Sequence, residues 1–268
     1  MPGTDGVGCD RAPRSSVNRR MGSLAGRCQT DGVRGTWLVE EREATPSELH
    51  ASWPATDRDP GVRRIAVCRP TGTAVVVGST QPTEVVDAQV ALPAGIDIVR
   101  RRSGGGAVLV TPDDPVWVDV WLPAGDPRWS ADVTAAFGWV GTAWAAALDR
   151  LGLDGVEVQG AGPGSCTRWS SLVCFGGVGA GEVSIRGRKV VGLAQRRDRR
   201  GAWFHTACVR HWDPTLLLEL LDLSPGERAA ASEGLSGAVT GLVDESTGRN
   251  GGAVTAAAVV SALFESLP

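Results

Sequence analysis

Of the 27 lysines and arginines in this 268-residue chain, Lys189 is the only lysine. The two cations do different work. Lysine is a compact ammonium that can release its proton when desolvated, and arginine cannot. A chain that writes arginine for every other permanent charge marks Lys189 as a candidate for chemistry; the competing reading is compositional chance. Lys189 lies in the stretch Glu182-Val-Ser-Ile-Arg-Gly-Arg-Lys-Val-Val-Gly-Leu-Ala-Gln-Arg-Arg197.

A second candidate is Arg100-Arg-Arg-Ser-Gly-Gly-Gly-Ala-Val108. Three consecutive glycines remove all side-chain bulk, so the backbone can take positive φ and approach a ligand closely. Flanking arginines and free backbone N–H groups suit a carboxylate or phosphate. The same composition fits a flexible loop between strands. The spacing matches neither a Walker A loop nor a dinucleotide fingerprint.

Residues 1–36 are rich in glycine, proline and arginine and poor in bulky apolar residues, which predicts a disordered tail, with Met21 as an alternative start. Residues 37–268 read as one domain. Trp37–Glu40 is a predicted strand, and Thr45-Pro-Ser-Glu48 fits a capping box opening a short helix with Leu49 and Trp53. Arg64–Cys68 and Thr73–Gly78 read as strands of a hairpin, and a short helix is expected near Glu84–Val90. Ile96–Val99 is a strand leading into the glycine run. Pro115–Leu122 alternates valines with Trp117, Asp119 and Trp121, a strand with two unlike faces. The stripe Val133, Phe137, Val140, Trp144, Leu148, Leu151 predicts a helix over 131–151, ended by Gly152. Val156–Gln159 and Trp169–Phe175 read as strands, Glu182–Ile185 and Lys189–Gln195 as a hairpin across Arg186-Gly-Arg188, and Ala202–Val209 as a strand carrying His205. The part from about 212 to 268 is helical: 216–223, 225–243 and 254–267. Strands followed by helices imply an α+β fold, with a mixed, mainly antiparallel central sheet flanked by helices.

Apolar residues make up 42% and charged residues 21%, and the formal charge is -3. These values favour neither nucleic acid nor an anionic membrane. No apolar run reaches the ~20 residues of a membrane helix, and no secretory signal is evident, so a cytoplasmic protein is expected. Its six cysteines are irregularly spaced and contain no Cys-x-x-Cys. Reduced thiols are expected, without a metal site.

Together, Arg101, Ser103-Gly-Gly-Gly-Ala-Val108, Cys174-Phe175, Glu182 and Gly187-Arg-Lys-Val-Val-Gly-Leu-Ala-Gln-Arg-Arg197 resemble the lipoate–protein ligase, octanoyltransferase and biotin ligase catalytic-domain superfamily. Val75-Val-Val-Gly-Ser-Thr-Gln81 resembles the family's strand leading into a glutamine. The resemblance covers roughly 37–225. It implies transfer of an octanoyl or lipoyl group to a lysine of a lipoyl-domain protein, such as a glycine cleavage H protein or a 2-oxoacid dehydrogenase acyltransferase subunit. It places an acyl site between the glycine turn (Arg101, Ser103, Gly104, Gly105, Gly106, Ala107) and the lysine strand (Gly192, Ala194), with Gln81, Glu182 and His205 nearby and Lys189 aimed at the acyl carbonyl. A fixed ammonium there would stabilise the negative charge of a tetrahedral centre.

Family members differ in chemistry. Cysteine octanoyltransferases take octanoate from acyl carrier protein through an acyl-enzyme thioester and need no cofactor. Lipoate ligases make an acyl-adenylate and need ATP and Mg. One cysteine type carries Cys-Phe fifteen residues before the motif lysine, the spacing of Cys174-Phe175 to Lys189. This makes Cys174 the candidate nucleophile with Lys189 as its activator across neighbouring strands. Its apolar context equally fits a buried structural thiol. Where many ligases follow Gly-Gly-Gly-Ala-Val with an aromatic and His-Asp, this chain has Leu109-Val110-Thr111. That departure leans away from an ATP-dependent ligase and is compatible with a non-catalytic acyl-binding relative. Biotin ligase is disfavoured, because that branch's arginine–glycine pattern is absent. His205 reads as a site residue or a satisfied structural histidine. Arg196–Arg200 reads as a docking patch for an acidic carrier or as a solvated hairpin tip. Cys68, Cys166 and Cys208 read as structural.

Overall fold

The computed structural model describes residues 37–51, 61–162, 164–245 and 254–268; the proposed tail and Trp53 lie outside them. Twelve strands are present among these residues: β1 (Trp37–Ala44), β2 (Arg63–Pro70), β3 (Ala74–Val77), β4 (Asp97–Arg100), β5 (Val108–Val110), β6 (Val116–Pro123), β7 (Val156–Val158), β8 (Ser165–Cys166), β9 (Gly177–Val178), β10 (Val183–Ile185), β11 (Arg188–Asp198) and β12 (Gly201–Cys208). The α-helices are α1 (Pro46–Ala51), α2 (Ala88–Ala91), α3 (Gly138–Arg150), α4 (Thr215–Leu220), α5 (Pro225–Ser236), α6 (Leu242–Glu245) and α7 (Ala256–Ser266).

A seven-stranded sheet runs in the order β1-β2-β6-β12-β11-β10-β7, and a three-stranded sheet in the order β4-β3-β5. In the large sheet only β1 and β2 are parallel; the other pairs are antiparallel. The fold is α+β with a mainly antiparallel sheet, as expected.

Alternation along β6 decides what each face carries, because successive side chains point to opposite faces. Val118, Val120 and Leu122 pack with Ile65 and Phe204 against Val140, Trp144 and Leu148 of α3 and Val259 and Leu263 of α7. Trp117 on the other face packs with Ala66, Cys68, Leu49, Ala74 and Val76. The small sheet is thus laid over the second face. Its outer side, through Val75 and Val77, meets Leu217, Leu218 and Leu220 of α4 and Leu235 of α5. The layers run helices, large sheet, small sheet, helices.

Local chemistry accounts for the elements that match. Thr45 and Glu48 exchange the reciprocal bonds of a capping box at α1, Thr45 N–H to Glu48 Oε2 at 3.0 Å and Glu48 N–H to Thr45 Oγ1 at 3.3 Å. The β10–β11 hairpin turns on Arg186 at φ 50° and Gly187 at φ 77°, the left-handed pair that a two-residue hairpin loop requires.

Four expectations need correction. Strands β2 and β3 do not pair: β2 lies between β1 and β6, and β3 between β4 and β5. Alternation identifies a strand but leaves its partner open. Trp169–Phe175 is a folded turn followed by a 3₁₀ turn at Cys174–Gly176, not a strand. Thr167 N–H donates to Ser170 Oγ (2.8 Å), and both hydroxyls donate to Gly176 O (2.6 and 2.7 Å). Such local side-chain bonds displace a ladder. The 131–151 helix starts only at Gly138, behind a 3₁₀ turn at Ala135–Phe137, because Asp132 accepts from Thr134 N–H and Ala135 N–H. The 225–243 helix stops at Ser236; the chain after Gly237 returns to bond Lys189, with Lys189 N–H to Ala238 O at 2.8 Å and Thr240 N–H to Lys189 O at 3.0 Å. Cys68 and Cys208 are buried as expected of structural thiols, whereas Cys166 is exposed.

Candidate active site

The glycine turn is built around protein, not around open space. Gly105 has φ +99°, and a Cβ there would lie 2.8 Å from Arg101 Nη2 and 3.6 Å from Cys174 Sγ. A Cβ on Gly106 would lie 2.7 Å from the backbone of Leu172 and Val173. Absence of side chains therefore lets the turn pack directly on the segment bearing Cys174. Two backbone bonds lock the contact: Ala107 N–H to Leu172 O (2.7 Å) and Cys174 N–H to Ala107 O (2.9 Å). Gln81 holds the same segment from behind, donating to Leu172 O at 3.0 Å.

Arg101 is buried and occupied by the turn it precedes. Its guanidinium donates to Val76 O (3.1 Å), Gly104 O (2.8 Å) and Gly106 O (2.7 Å). Nη2 also lies 3.8 Å from Cys174 Sγ, so the cation placed beside the sulfur is Arg101.

Lys189 is 1% exposed. Its ammonium lies 2.6 Å from Glu182 Oε2, 2.9 Å from Cys174 O and 3.0 Å from Gly177 O. An ammonium has three protons, and these acceptors account for all of them. Phe175 covers it, with Nζ 5.0 Å from the ring centroid. Glu182 additionally accepts from Gly179 N–H (2.7 Å) and Leu193 N–H (3.0 Å). Lys189 thus bonds the backbone of the nucleophile candidate, not its side chain. The two residues do not face each other across neighbouring strands, since Cys174 sits in a 3₁₀ turn.

Cys174 opens on a cleft of about 500 Å³, measured with its mouth, between the two sheets. Walls and floor come from Val110, Trp117, Phe175, Gly192, Ala194 and Ala207, and the lining is largely apolar. The floor follows from register. Paired residues give one row Cys68–Trp117–Ala207–Gly192 and the next Ala66–Asp119–His205–Ala194 across β2, β6, β12 and β11. Small residues on β11 leave the space; Gly192 lies against Phe175, where an added Cβ would come within 3.3 Å of the ring. Val110 lines the cleft wall, and Thr111 caps the following turn by accepting from Asp114 N–H at 3.0 Å.

One polar cluster interrupts this lining. His205 Nδ1 is 2.9 Å from Asp119 Oδ1, and Trp117 Nε1 donates to the same oxygen at 2.6 Å. His50 from α1 stacks on Trp117 at 4.4 Å and lies 5.9 Å from the His205 ring. Asp119 is fully buried. Burial alone would push its carboxyl up, but the His205 charge and hydrogen bond, with Trp117, hold it below its usual range. Burial, then the neighbouring His205, pushes His50 down to about 3, so it is neutral at neutral pH.

The expected residues Arg101, Cys174, Gly192, Ala194 and His205 meet at this cleft; the glycine turn, Ala107, Gln81, Glu182 and Lys189 lie behind it and hold the Cys174 segment. Ser103 is buried, and its carbonyl accepts from Ser79 N–H at 2.9 Å. Sequence reasoning missed Asp119 and His50. A signal existed for Asp119, since a carboxylate in the middle of an otherwise apolar strand demands a partner. None existed for His50, which only tertiary packing brings to His205. At the hairpin tip, Arg200 pairs with Asp198 and Arg197 lies over Trp129, whereas Arg196 and Arg199 are exposed. Among the described residues no cluster of metal-ligating groups occurs, and no helix is long and apolar enough to cross a membrane.

The layered arrangement is similar to the fold of solved lipoate protein ligases. Residues 55–267 match the family model described as lipoyl protein ligase A/B catalytic domain, so the chain belongs to that family. Among curated proteins it is 29% identical over 137 residues to octanoyltransferase LipM of Brevibacillus brevis; the match covers 50% of this chain and 49%, about half, of that protein. Among solved structures it is similar to the bipartite lipoate protein ligase of Thermoplasma acidophilum (TM-score 0.61, 20% identity, 85% of this chain and 80% of that one). It is also similar to a lipoate-protein ligase A bound with ATP (TM-score 0.60, 21% identity, 87% and 83%).

Proposed function

We propose that this protein transfers an octanoyl or lipoyl group to a lysine of a lipoyl-domain protein through an acyl-Cys174 intermediate. The observation that carries the proposal is Cys174 Sγ at the head of an apolar cleft, 3.8 Å from the fixed Arg101 guanidinium. The Cys174 sulfur attacks the carbonyl of an acyl thioester, such as octanoyl–acyl carrier protein; the new carbon–sulfur bond forms as the donor's carbon–sulfur bond breaks, and the donor leaves as a thiol carrying the proton given up by the Cys174 thiol. The acyl chain lies over Gly192 and Ala194. An acceptor lysine amine then attacks the acyl-Cys174 carbonyl and releases the enzyme thiol. Arg101 and the glycine turn hold the sulfur from one side, and Lys189 with Glu182 holds the Cys174 backbone from the other. As a transferase the protein needs no nucleotide or metal.

Intact mass after incubation with octanoyl–acyl carrier protein tests this. An octanoyl adduct on the wild type, absent in Cys174→Ser, is expected. Transfer that requires ATP, Mg and free lipoate and survives Cys174→Ser overturns it in favour of a ligase. No product in either mixture overturns it in favour of an acyl-binding relative.

A further inference from the structure

We propose that His205, oriented by Asp119, is the proton acceptor for the attacking amine in the second half-reaction; this rests on the acyl-Cys174 reading above. Asp119 is a fully buried carboxylate paired with His205 in the same row, and as a carboxylate it can only accept. The 2.9 Å contact therefore requires the Nδ1 hydrogen to point at Asp119 Oδ1. Trp203 Nε1 lies 3.2 Å from the same nitrogen, but the shorter contact is the one to an ion and decides the tautomer. Nε2 is left with its lone pair. His205 and Cys174 line the same cleft, and His205 is the partner of Ala194 across β11–β12. Among the described residues, no other basic group there fits the task. The Lys189 protons are all occupied, Arg101 cannot deprotonate, and His50, pushed down to about 3, is too weak a base to hold a proton at neutral pH.

In this step the nitrogen–carbon bond forms and the carbon–sulfur bond breaks, with its electron pair going to Cys174 Sγ. The nitrogen's proton moves to His205 Nε2, and then to the departing sulfur or to water. Asp119 stabilises the imidazolium while it lasts. Asp119 is a positioning residue; His205 is the group that touches the reacting nitrogen. The charged and titratable groups facing His205 are Asp119 from β6 and His50 from α1, with Arg101 and Cys174 also lining the cleft.

The experiment separates the two half-reactions. Wild type, His205→Gln and Asp119→Asn are loaded with octanoyl–acyl carrier protein, and the adduct is then chased with a lipoyl-domain acceptor while intact masses are followed. For His205→Gln, transfer slowed about 10²–10⁴-fold, and slowed far more than loading, is expected. Raising the pH should speed its transfer, and added imidazole should rescue a His205→Ala protein, which a purely structural role would not produce. For Asp119→Asn, transfer slowed more than loading is expected. Transfer by His205→Gln at the wild-type rate overturns the proposal while leaving acyl-Cys174 intact, as does equal slowing of loading and transfer without imidazole rescue. If Asp119→Asn fails to fold, the His205 variants decide alone. Failure of the wild type to load at all overturns the underlying reading instead.

Discussion

Replacing Lys189 by methionine tests whether its buried ion pair is as closed as its geometry implies. Methionine keeps most of the apolar stem and removes the ammonium. Glu182 is then a buried carboxylate without its cation, and Cys174 O and Gly177 O lose their donor. Breaking a buried pair from one side costs about 3–5 kcal/mol, within which the stranded carbonyls contribute about 1 kcal/mol each. The double variant Lys189→Met/Glu182→Gln removes both charges, and the amide oxygen can still accept from Leu193 N–H. It should be more stable than the sum of the single changes by about 2–3 kcal/mol. The ten tryptophans make urea unfolding by fluorescence a direct assay. At roughly 2–3 kcal/mol per molar urea, the single variant's midpoint should fall by about 1 M or more. A single variant within about 1 kcal/mol of wild type, or strictly additive changes, would refute the reasoning. Lys189→Arg should also lose activity, because a bulkier, forked cation must enter a site 1% exposed with three fixed acceptors.

Gly105→Ala should slow octanoyl adduct formation and cost about 1–2 kcal/mol, because φ is +99° and the new methyl meets Arg101 Nη2 at 2.8 Å; adduct mass against time and a melt check both. Gly192→Val should shift donor preference from octanoyl to shorter acyl thioesters, read by competition and intact mass, since the added carbons press on Phe175. Stability should decline on acidification through His50. Its ordinary value of 6.5 falls to about 3 in the fold, so between those pH values only the unfolded chain binds the proton. Stability from this group is complete above about 6.5 and is lost as pH falls toward 3, at most about 5 kcal/mol before discounting for partial exposure. His50→Phe should flatten that slope in urea titrations at several pH values; an unchanged slope sinks the assignment. Asp114, pushed up by burial, acts with the opposite sign at the lower end, so the difference between variant and wild type is the quantity to read.

Much of this protein is encoded within single segments. The capping box at Thr45–Glu48, the left-handed Arg186-Gly187 turn and the alternation of Val116–Leu122 are short-range stereochemistry, and each formed where the sequence placed it. The family motifs were legible for the same reason: each is a continuous run of residue types. Local reading failed where a competing local bond or a distant partner decided the outcome. Thr167 and Ser170 folded the Cys174 segment into turns, and β2 and β3 took partners from different sheets.

The amino-acid sequence by itself marked one lysine and one run of three glycines as exceptional, and it carried an unread signal in one carboxylate between two tryptophans. What each one touches was decided only by the tertiary structure. Lys189 met the carbonyl of Cys174 and not its sulfur, the glycines made room for the protein's own chain, and Asp119 met a histidine 86 residues away. The physical reason is that burial forces every polar group to find a partner, while sheet register and layer packing, set by the whole chain, choose which partner is within reach.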